Sequence, residues 1–168
     1  MEYIHKIKSP IGTLTVSSDG QNVSGLWIEG QKYFAQTLGK NVFEQNLPIF
    51  ENIRDWLDIY FSGKEPDFIP PLLPQGSPFQ KLVWNNLCKI PYGQTTTYGE
   101  IAEQIELENK DKHTSARAVG GAIGHNPISI LIPCHRVIGK DGNLTGYAGG
   151  ITAKIKLLNL EGITVACG

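Results

Sequence analysis

At 168 residues and 18.5 kDa, with 40% hydrophobic and 18% charged residues, the chain has the composition of a globular protein able to bury a sizeable core, as one domain or two small ones. A formal net charge of −1 gives no global sign of a nucleic-acid partner, and no apolar run approaches the roughly 20 residues of a membrane span. Three cysteines without metal-like spacing argue against a disulfide framework or a zinc ribbon. The N-terminal Met1-Glu2-Tyr3-Ile4-His5-Lys6 lacks the apolar core of a signal peptide, so a reducing, intracellular setting is expected.

Residues 1–30 read as β structure. Gly12 to Ser17 alternates apolar and polar, and Asp19-Gly20 offers a turn before Val23 to Ile28. Residues 48–62 read as a helix, because Ile49, Phe50, Ile53, Trp56, Leu57, Tyr60 and Phe61 recur at three and four residues, with Gly63 to end it. A proline-rich stretch from Pro66 to Pro74 follows, and the domain boundary is expected there. Ser77-Pro78-Phe79-Gln80 then supplies an N-cap, a proline at the first helical position and a glutamine at the third. Phe79, Leu82, Val83, Leu87 and Ile90 give that helix its buried face, and Pro91-Tyr92-Gly93 breaks it. A second helix opens at Thr97, with Glu100 completing a capping box, and runs through Ile101, Ala102 and Ile105. After a polar loop from Glu106 to Thr114, a third helix spans about Ser115 to Ile123, and the pair fits a helix-turn-helix.

The third helix is unusually small in side chain. Ala116, Ala118, Gly120, Gly121 and Ala122 dominate it, although each interior glycine costs about 0.8–1 kcal/mol relative to alanine. Either tight packing or close approach of a ligand to the backbone would compensate. Arg117 is its only long side chain, projecting alone or forming a surface ion pair. Basic residues gather in this half (Lys110, Lys112, His113, Arg117, His135, Arg136 and Lys140), whereas residues 44–67 are rich in acids.

Chemistry concentrates at Pro133-Cys134-His135-Arg136. Only roughly 3% of an ordinary thiol is ionised at pH 7, and an adjacent imidazole or guanidinium raises that fraction by taking the proton or stabilising the anion. The apolar run Ile128 to Ile132 reads as a buried, strand-like segment that Pro133 ends, so Cys134 sits where a rigid element stops. Cys88, within an apolar helix pattern, reads as a small hydrophobe, and Cys167 is uninformative.

The stretch Ile130 to Ile138 resembles the active-site signature of the O6-alkylguanine-DNA alkyltransferases, also called methylated-DNA–protein-cysteine methyltransferases. The resemblance extends from about Ser77 to Gly162 through Thr97-Tyr98-Gly99-Glu100-Ile101-Ala102, Ala116 to Ala122, Asn126-Pro127, Gly146-Tyr147-Ala148-Gly149-Gly150 and Glu161-Gly162, in family order. It implies a small α/β domain over residues 1–75 with a ribonuclease H-like sheet. A mainly α domain over residues 76–168, with a winged helix-turn-helix-like motif, would carry alkyl transfer and DNA binding. The implied activity is direct-reversal repair: one irreversible transfer of an alkyl group from O6 of guanine, and from O4 of thymine, in double-stranded DNA to Cys134. The implied protein is a monomer with no cofactor and no metal, cytoplasmic in a prokaryote and nuclear in a eukaryote. Some relatives hold zinc near the N-terminus, but this chain has no cysteine before Cys88 and only His5 among the histidines there.

The resemblance also assigns roles. Cys134 is the acceptor, and His135 its base, acting directly or through one water. Glu161, otherwise a surface acid at a helix end, orients His135. Asn126 braces the active-site turn. Tyr98 donates a proton or hydrogen bond to the leaving guanine, Tyr147 walls the base pocket, and Val137 and Cys134 offer carbonyls to the exocyclic amine. Ala148 stands where many relatives have serine, which matters only if a hydroxyl rather than the backbone N–H is the donor. Arg117 fills the space left by a flipped base, while Ala116 and Gly120 let the third helix lie in the minor groove and Ser115 holds a phosphate at its N-terminus. Arg136 joins the DNA-binding set. Lys154 fits a family basic position, although a solvated helix face accounts for it more simply. Three alternatives make different demands. A non-catalytic damage sensor of the same family lacks the acceptor cysteine. A cysteine hydrolase leaves Arg117 and the small helix unexplained, and a DNA-binding regulator leaves the Cys-His pair unexplained.

Overall fold

A computed structural model describes residues 1–110 and 113–165; Lys112 and Cys167, noted above, lie outside the described residues. The expected alternation produces β1 (Glu2–Ser9), β2 (Gly12–Ser18) and β3 (Val23–Ile28), paired antiparallel in succession. A short β4 (Val42–Glu44) adds parallel to β1, giving the order β3-β2-β1-β4. Leu14, Val16, Leu26 and Ile28 of the sheet are buried in the same apolar cluster as α1 (Pro48–Phe61). Of the apolar residues at helical spacing α1 buries all but Phe61, which packs half-buried against the same cluster, and Tyr60 is among those buried. Ser62 caps the helix, and Gly63 follows at φ +86°, a conformation that favours glycine.

β3 is the organising edge of the sheet. Its amide and carbonyl at Val23 pair with Pro71 O and Leu73 N, so the proline-rich stretch runs beside the sheet rather than hanging free. Further along, Leu26 N donates to Pro127 O at 2.8 Å, and Leu26 O accepts from Ser129 N at 2.9 Å. The segment leading to Cys134 is thereby tied to the N-terminal sheet.

In the second half, α2 (Pro78–Leu87) and α3 (Tyr98–Glu108) both begin with complete capping boxes, Ser77 with Gln80 and Thr97 with Glu100. α3 runs past Ile105 to Glu108, into the expected polar loop, because Lys89 (2.8 Å) and Gln104 (3.0 Å) both hold the Glu108 carboxylate. α4 (Ala116–Gly124) is pinned to α2 by the Trp84 indole N–H, which donates to Ala122 O at 2.9 Å. A two-residue parallel pair, β5 (Thr96–Thr97) and β6 (Val137–Ile138), and α5 (Ile151–Leu160) complete the chain. Buried apolar residues of both halves form one continuous cluster. Among the described residues no helix is long and apolar enough to cross a membrane.

Residues 128–132 are buried but do not form the expected strand. Ile128 alone bridges to Leu26; the chain then turns, with Ile132 N bonding back to Ile128 O at 3.0 Å and Ile130 at φ +72°. That left-handed conformation is rare and costly for a β-branched residue. An apolar run of this length carries no signal that separates a strand from a buried turn.

Gly25 marks how closely the sheet is packed. A methyl group there would collide with the Trp27 ring and lie 2.6 Å from Ser17 Oγ. Gly25→Ala is expected to lower unfolding free energy by about 1–3 kcal/mol through overpacking, measured as a reduced urea midpoint at unchanged slope.

Candidate active site

Asn126 shapes the turn that carries Cys134. Its Oδ1 accepts from Ile128 N at 3.0 Å and its Nδ2 donates to Ile132 O at 2.9 Å, so one side chain clamps both ends of the turn. Pro133 then leads into a single 3-10 turn, Cys134–Arg136, whose three side chains are all buried. Cys134 N closes on Ile132 O at 2.8 Å.

Behind Cys134 lies a buried charge cluster centred on Glu161, the residue that caps α5. Its Oε2 accepts from His135 Nε2 and from the Tyr60 hydroxyl, each at 2.6 Å. Its Oε1 accepts from Arg136 Nε at 2.7 Å and from Gly93 N at 3.0 Å. Burial opposes ionisation, but these donors and the charges behind them win, holding the carboxyl down to about 2. A carboxylate can only accept, so His135 Nε2 carries the hydrogen of their shared bond and Nδ1 is the basic nitrogen. Nδ1 is buried with no hydrogen-bond partner among the described residues. Burial keeps the imidazole neutral, pulling it below its ordinary value.

Burial also pushes the Cys134 thiol up, against smaller opposing effects from Asn126, Tyr147 and Lys154. The resting group is therefore a thiol beside a neutral imidazole, and a thiolate arises only as the proton leaves. Lys154 is fully buried, not on a solvated face: Nζ donates to Val137 O at 2.7 Å and reaches Thr145 O at 3.5 Å. Burial pulls its ammonium down to about 8, so it remains mostly cationic near pH 7 beside the thiol.

Cys134 opens into a cavity of about 610 Å³. Tyr98, Tyr147, Ala148 and Thr145 form part of its wall, and Ala116, Arg117, Gly120 and Gly121 of α4 form its rim. The Tyr98 hydroxyl is 2.7 Å from Thr145 Oγ1. The Tyr147 hydroxyl is buried and faces Cys134. Ala148 O accepts from Lys32 N at 3.0 Å. Val137 O keeps one lone pair beyond the bond from Lys154. A methyl at Gly121 would touch nothing, and one at Gly120 would make only ordinary contact with Tyr98 at 3.6 Å, so packing within the chain does not demand either glycine. Arg117 is exposed and forms no ion pair among the described residues. Among the described residues no three His, Cys, Asp or Glu side chains group as a metal site requires.

Two further expectations, on Arg136 and Cys88, change. Arg136 does not face a ligand: besides Glu161 it donates to Ile90 O at 2.8 Å and stands over the Tyr92 ring, because the buried carboxylate needs a permanent cation. Ser115 caps α4 by accepting from Ala118 N and borders a neighbouring surface groove beside the cavity. Cys88 is exposed at the C-terminal end of α2, not packed within it. The sequence does not mark Tyr60, the cavity's Lys32 and Tyr33, or His125, on which Tyr33 stacks at 3.9 Å, as part of the site. Tyr60 gave no signal, since an aromatic on a helix's apolar stripe reads as core.

Two family models cover most of the chain. One, described as 6-O-methylguanine DNA methyltransferase, ribonuclease-like domain, matches residues 3–74; the other, described as 6-O-methylguanine DNA methyltransferase, DNA binding domain, matches residues 78–163. The methylated-DNA–protein-cysteine methyltransferase of Haemophilus influenzae is 44% identical over 156 residues, 92% of this chain and 83% of that one. Its counterpart from Methanosarcina mazei is 44% identical over 95% of this chain and 96% of its own. Among solved structures, Mycobacterium tuberculosis OGT in complex with DNA superposes with a TM-score of 0.83 at 43% identity, covering 95% of this chain and 92% of that one. The Mycobacterium tuberculosis O6-methylguanine methyltransferase superposes at 0.81 with 42% identity, over 100% and 97% respectively.

The Glu161 cluster has a stability signature. Glu161 titrates at about 2 in the folded chain and near 4.5 when unfolded, so its contribution is complete above about pH 4.5 and drains away as pH falls toward 2. His135, held neutral by burial, acts in the same direction below about 6.5. Glu161→Gln strands Arg136 and is expected to cost about 3–5 kcal/mol at pH 7, while flattening the loss of stability between pH 5 and 2. Urea unfolding across that range checks both.

Proposed function

The chain belongs to the 6-O-methylguanine DNA methyltransferase family, and from that membership we propose how its own residues carry out direct-reversal repair. It is a methylated-DNA–protein-cysteine methyltransferase in activity, acting on double-stranded DNA. It takes an alkyl group, a methyl in the simplest case, from O6 of guanine, and from O4 of thymine, onto Cys134. The observation that carries the reading is Cys134 at the cavity wall with the His135–Glu161 pair directly behind it.

The reaction is a displacement at the alkyl carbon. A sulfur–carbon bond forms at Cys134 as the carbon–O6 bond breaks, and the bonding pair leaves with the guanine. The thiol proton passes to His135 Nδ1, directly or through one water, and the imidazolium is stabilised by Glu161. The Tyr98 hydroxyl, held by Thr145, protonates or hydrogen-bonds the departing base. Lys154 adds positive charge near the developing thiolate. The thioether product has no route back, so each molecule acts once, without cofactor or metal.

The target atom is hidden in a duplex, so the base must leave the stack at a cost of a few kcal/mol. Arg117 enters the vacated space. The absence of any packing need for Gly120 and Gly121 supports close approach of the DNA backbone to α4, with Ala116 on the same face. The free amides in the first turn of α4, which Ser115 caps, hold a phosphate at the edge of that face. Tyr147 walls the flipped base, the Ala148 N–H serves as donor where relatives use serine, and the Val137 and Cys134 carbonyls read the exocyclic amine. Residues 1–75 form a ribonuclease-like structural domain and 76–168 the alkyltransferase and DNA-binding domain, in line with the spans of the two family models. The protein acts as a monomer, in the cytoplasm of a prokaryote or the nucleus of a eukaryote.

Incubation with excess duplex carrying O6-methylguanine is expected to add one methyl group per molecule, on Cys134 and not Cys88, read by intact mass and peptide mapping. Repeated turnover or a methyl elsewhere contradicts the reading, and Cys134→Ser is expected to abolish transfer while retaining DNA binding. Arg117→Ala is expected to slow duplex repair by about 10–100-fold, the loss of roughly 1–3 kcal/mol toward flipping, with little change on free O6-benzylguanine. Gly121→Ala is expected to raise stability by about 0.5–1 kcal/mol while weakening duplex binding, which separates a DNA-facing glycine from a packing one.

A further inference from the structure

Among the described residues, Tyr60 is the polar side chain that the N-terminal half sends into the cluster behind Cys134. Its ring is fully buried, stacked on Trp56 at 5.1 Å and edge-on to Tyr92 at 6.2 Å. Its hydroxyl donates to Glu161 Oε2 at 2.6 Å and lies 3.3 Å from His135 Nε2, which bonds the same oxygen. A carboxylate offers about four acceptor sites. Arg136 and Gly93 take those on Oε1, and His135 and Tyr60 take those on Oε2. Without the Tyr60 hydroxyl, Oε1 stays pinned by two donors while Oε2 is held only by the imidazole it is meant to orient.

We propose that Tyr60 is a positioning residue for alkyl transfer: its hydroxyl fixes Glu161 Oε2 in line with His135 Nε2, so that the N-terminal half sets the basicity of the imidazole that takes the Cys134 proton. The inference rests on the alkyl-transfer reading and adds to it which part of the chain tunes the base. The phenol stays a donor throughout the working pH range, because burial and the Glu161 charge push it well above its ordinary value. The other titratable or charged groups facing this contact are Arg136 and His135 from the 3-10 turn and Tyr92 from the turn after α2, with Lys154 of α5 acting on His135. Of these, only His135 has its ordinary value, 6.5, near neutrality.

The test compares wild type, Tyr60→Phe, Glu161→Gln and the double variant in single-turnover reactions with free O6-benzylguanine and with methylated duplex, from pH 5.5 to 9.5. Tyr60→Phe is expected to slow both substrates about 5–20-fold at pH 7, since loss of one charge-assisted hydrogen bond is worth about 1–2 kcal/mol. The pH at which the rate rises is expected to move upward. In the Glu161→Gln background the same change is expected to add less than twofold, because the two act as one unit. A lower melting temperature with an unchanged rate and pH profile overturns the proposal, as does full additivity with Glu161→Gln. If Tyr60→Phe does not fold, p-aminophenylalanine at position 60 decides: it keeps the ring and an N–H donor, so near-wild-type rate and profile support the proposal, and a rate as low as that of Glu161→Gln overturns it. Failure of wild type to alkylate Cys134 from either substrate would instead strike the underlying reading.

Discussion

A buried carboxylate sets the terms for this molecule. Left alone, the Glu161 charge would be too costly to bury. It is tolerated because donors converge on it from α1, from the turn after α2 and from the 3-10 turn, while the acid itself sits at the end of α5. Each of those segments must arrive at one point for the charge to be satisfied. The apolar core makes the chain compact, and this polar knot makes its arrangement specific. It also explains why Arg136, adjacent to a reactive cysteine, faces inward: the knot needs a cation that never gives up its proton.

The same knot shapes how the thiol works. A cysteine that is permanently ionised is open to oxidation and to any passing electrophile. Here burial keeps Cys134 protonated, and a neutral imidazole stands next to it on the chain. On the proposed reading, reactivity is withheld until an alkyl carbon occupies the cavity and draws the sulfur electrons forward. In the proposed single-turnover reaction, that restraint matters more than a fast thiolate would.

Much of this was legible in the residues, and the failures have physical causes. Capping boxes at Ser77 and Thr97, the stripe on α1 and the alternation in β2 are local signals, and each element formed where its signal lay. The Cys134-His135 pair announced nucleophilic chemistry through adjacency alone. Glu161 and Asn126 were readable only by resemblance, since nothing local separates a buried acid from a surface one or a clamp from an Asn-Pro turn. The burial of Lys154 leaves no local signal, because lysine is almost never buried without partners and its partners are carbonyls distant in sequence. Tyr60 gives no signal for the converse reason: its ring obeys the helix pattern, and only its last atom reaches the buried carboxylate.

The left-handed turn at Ile130 bears on how the chain is made. Its unfavourable backbone persists because Asn126 clamps it and because Leu26 of β3 pairs with residues on its approach. Synthesis runs from the N-terminus, and early segments can fold before later ones emerge. The sheet edge and the Tyr60 ring therefore leave the ribosome well ahead of Cys134. The costly turn is made after the sheet edge it closes against, and the polar knot waits for Glu161, which leaves the ribosome later still, at the end of α5.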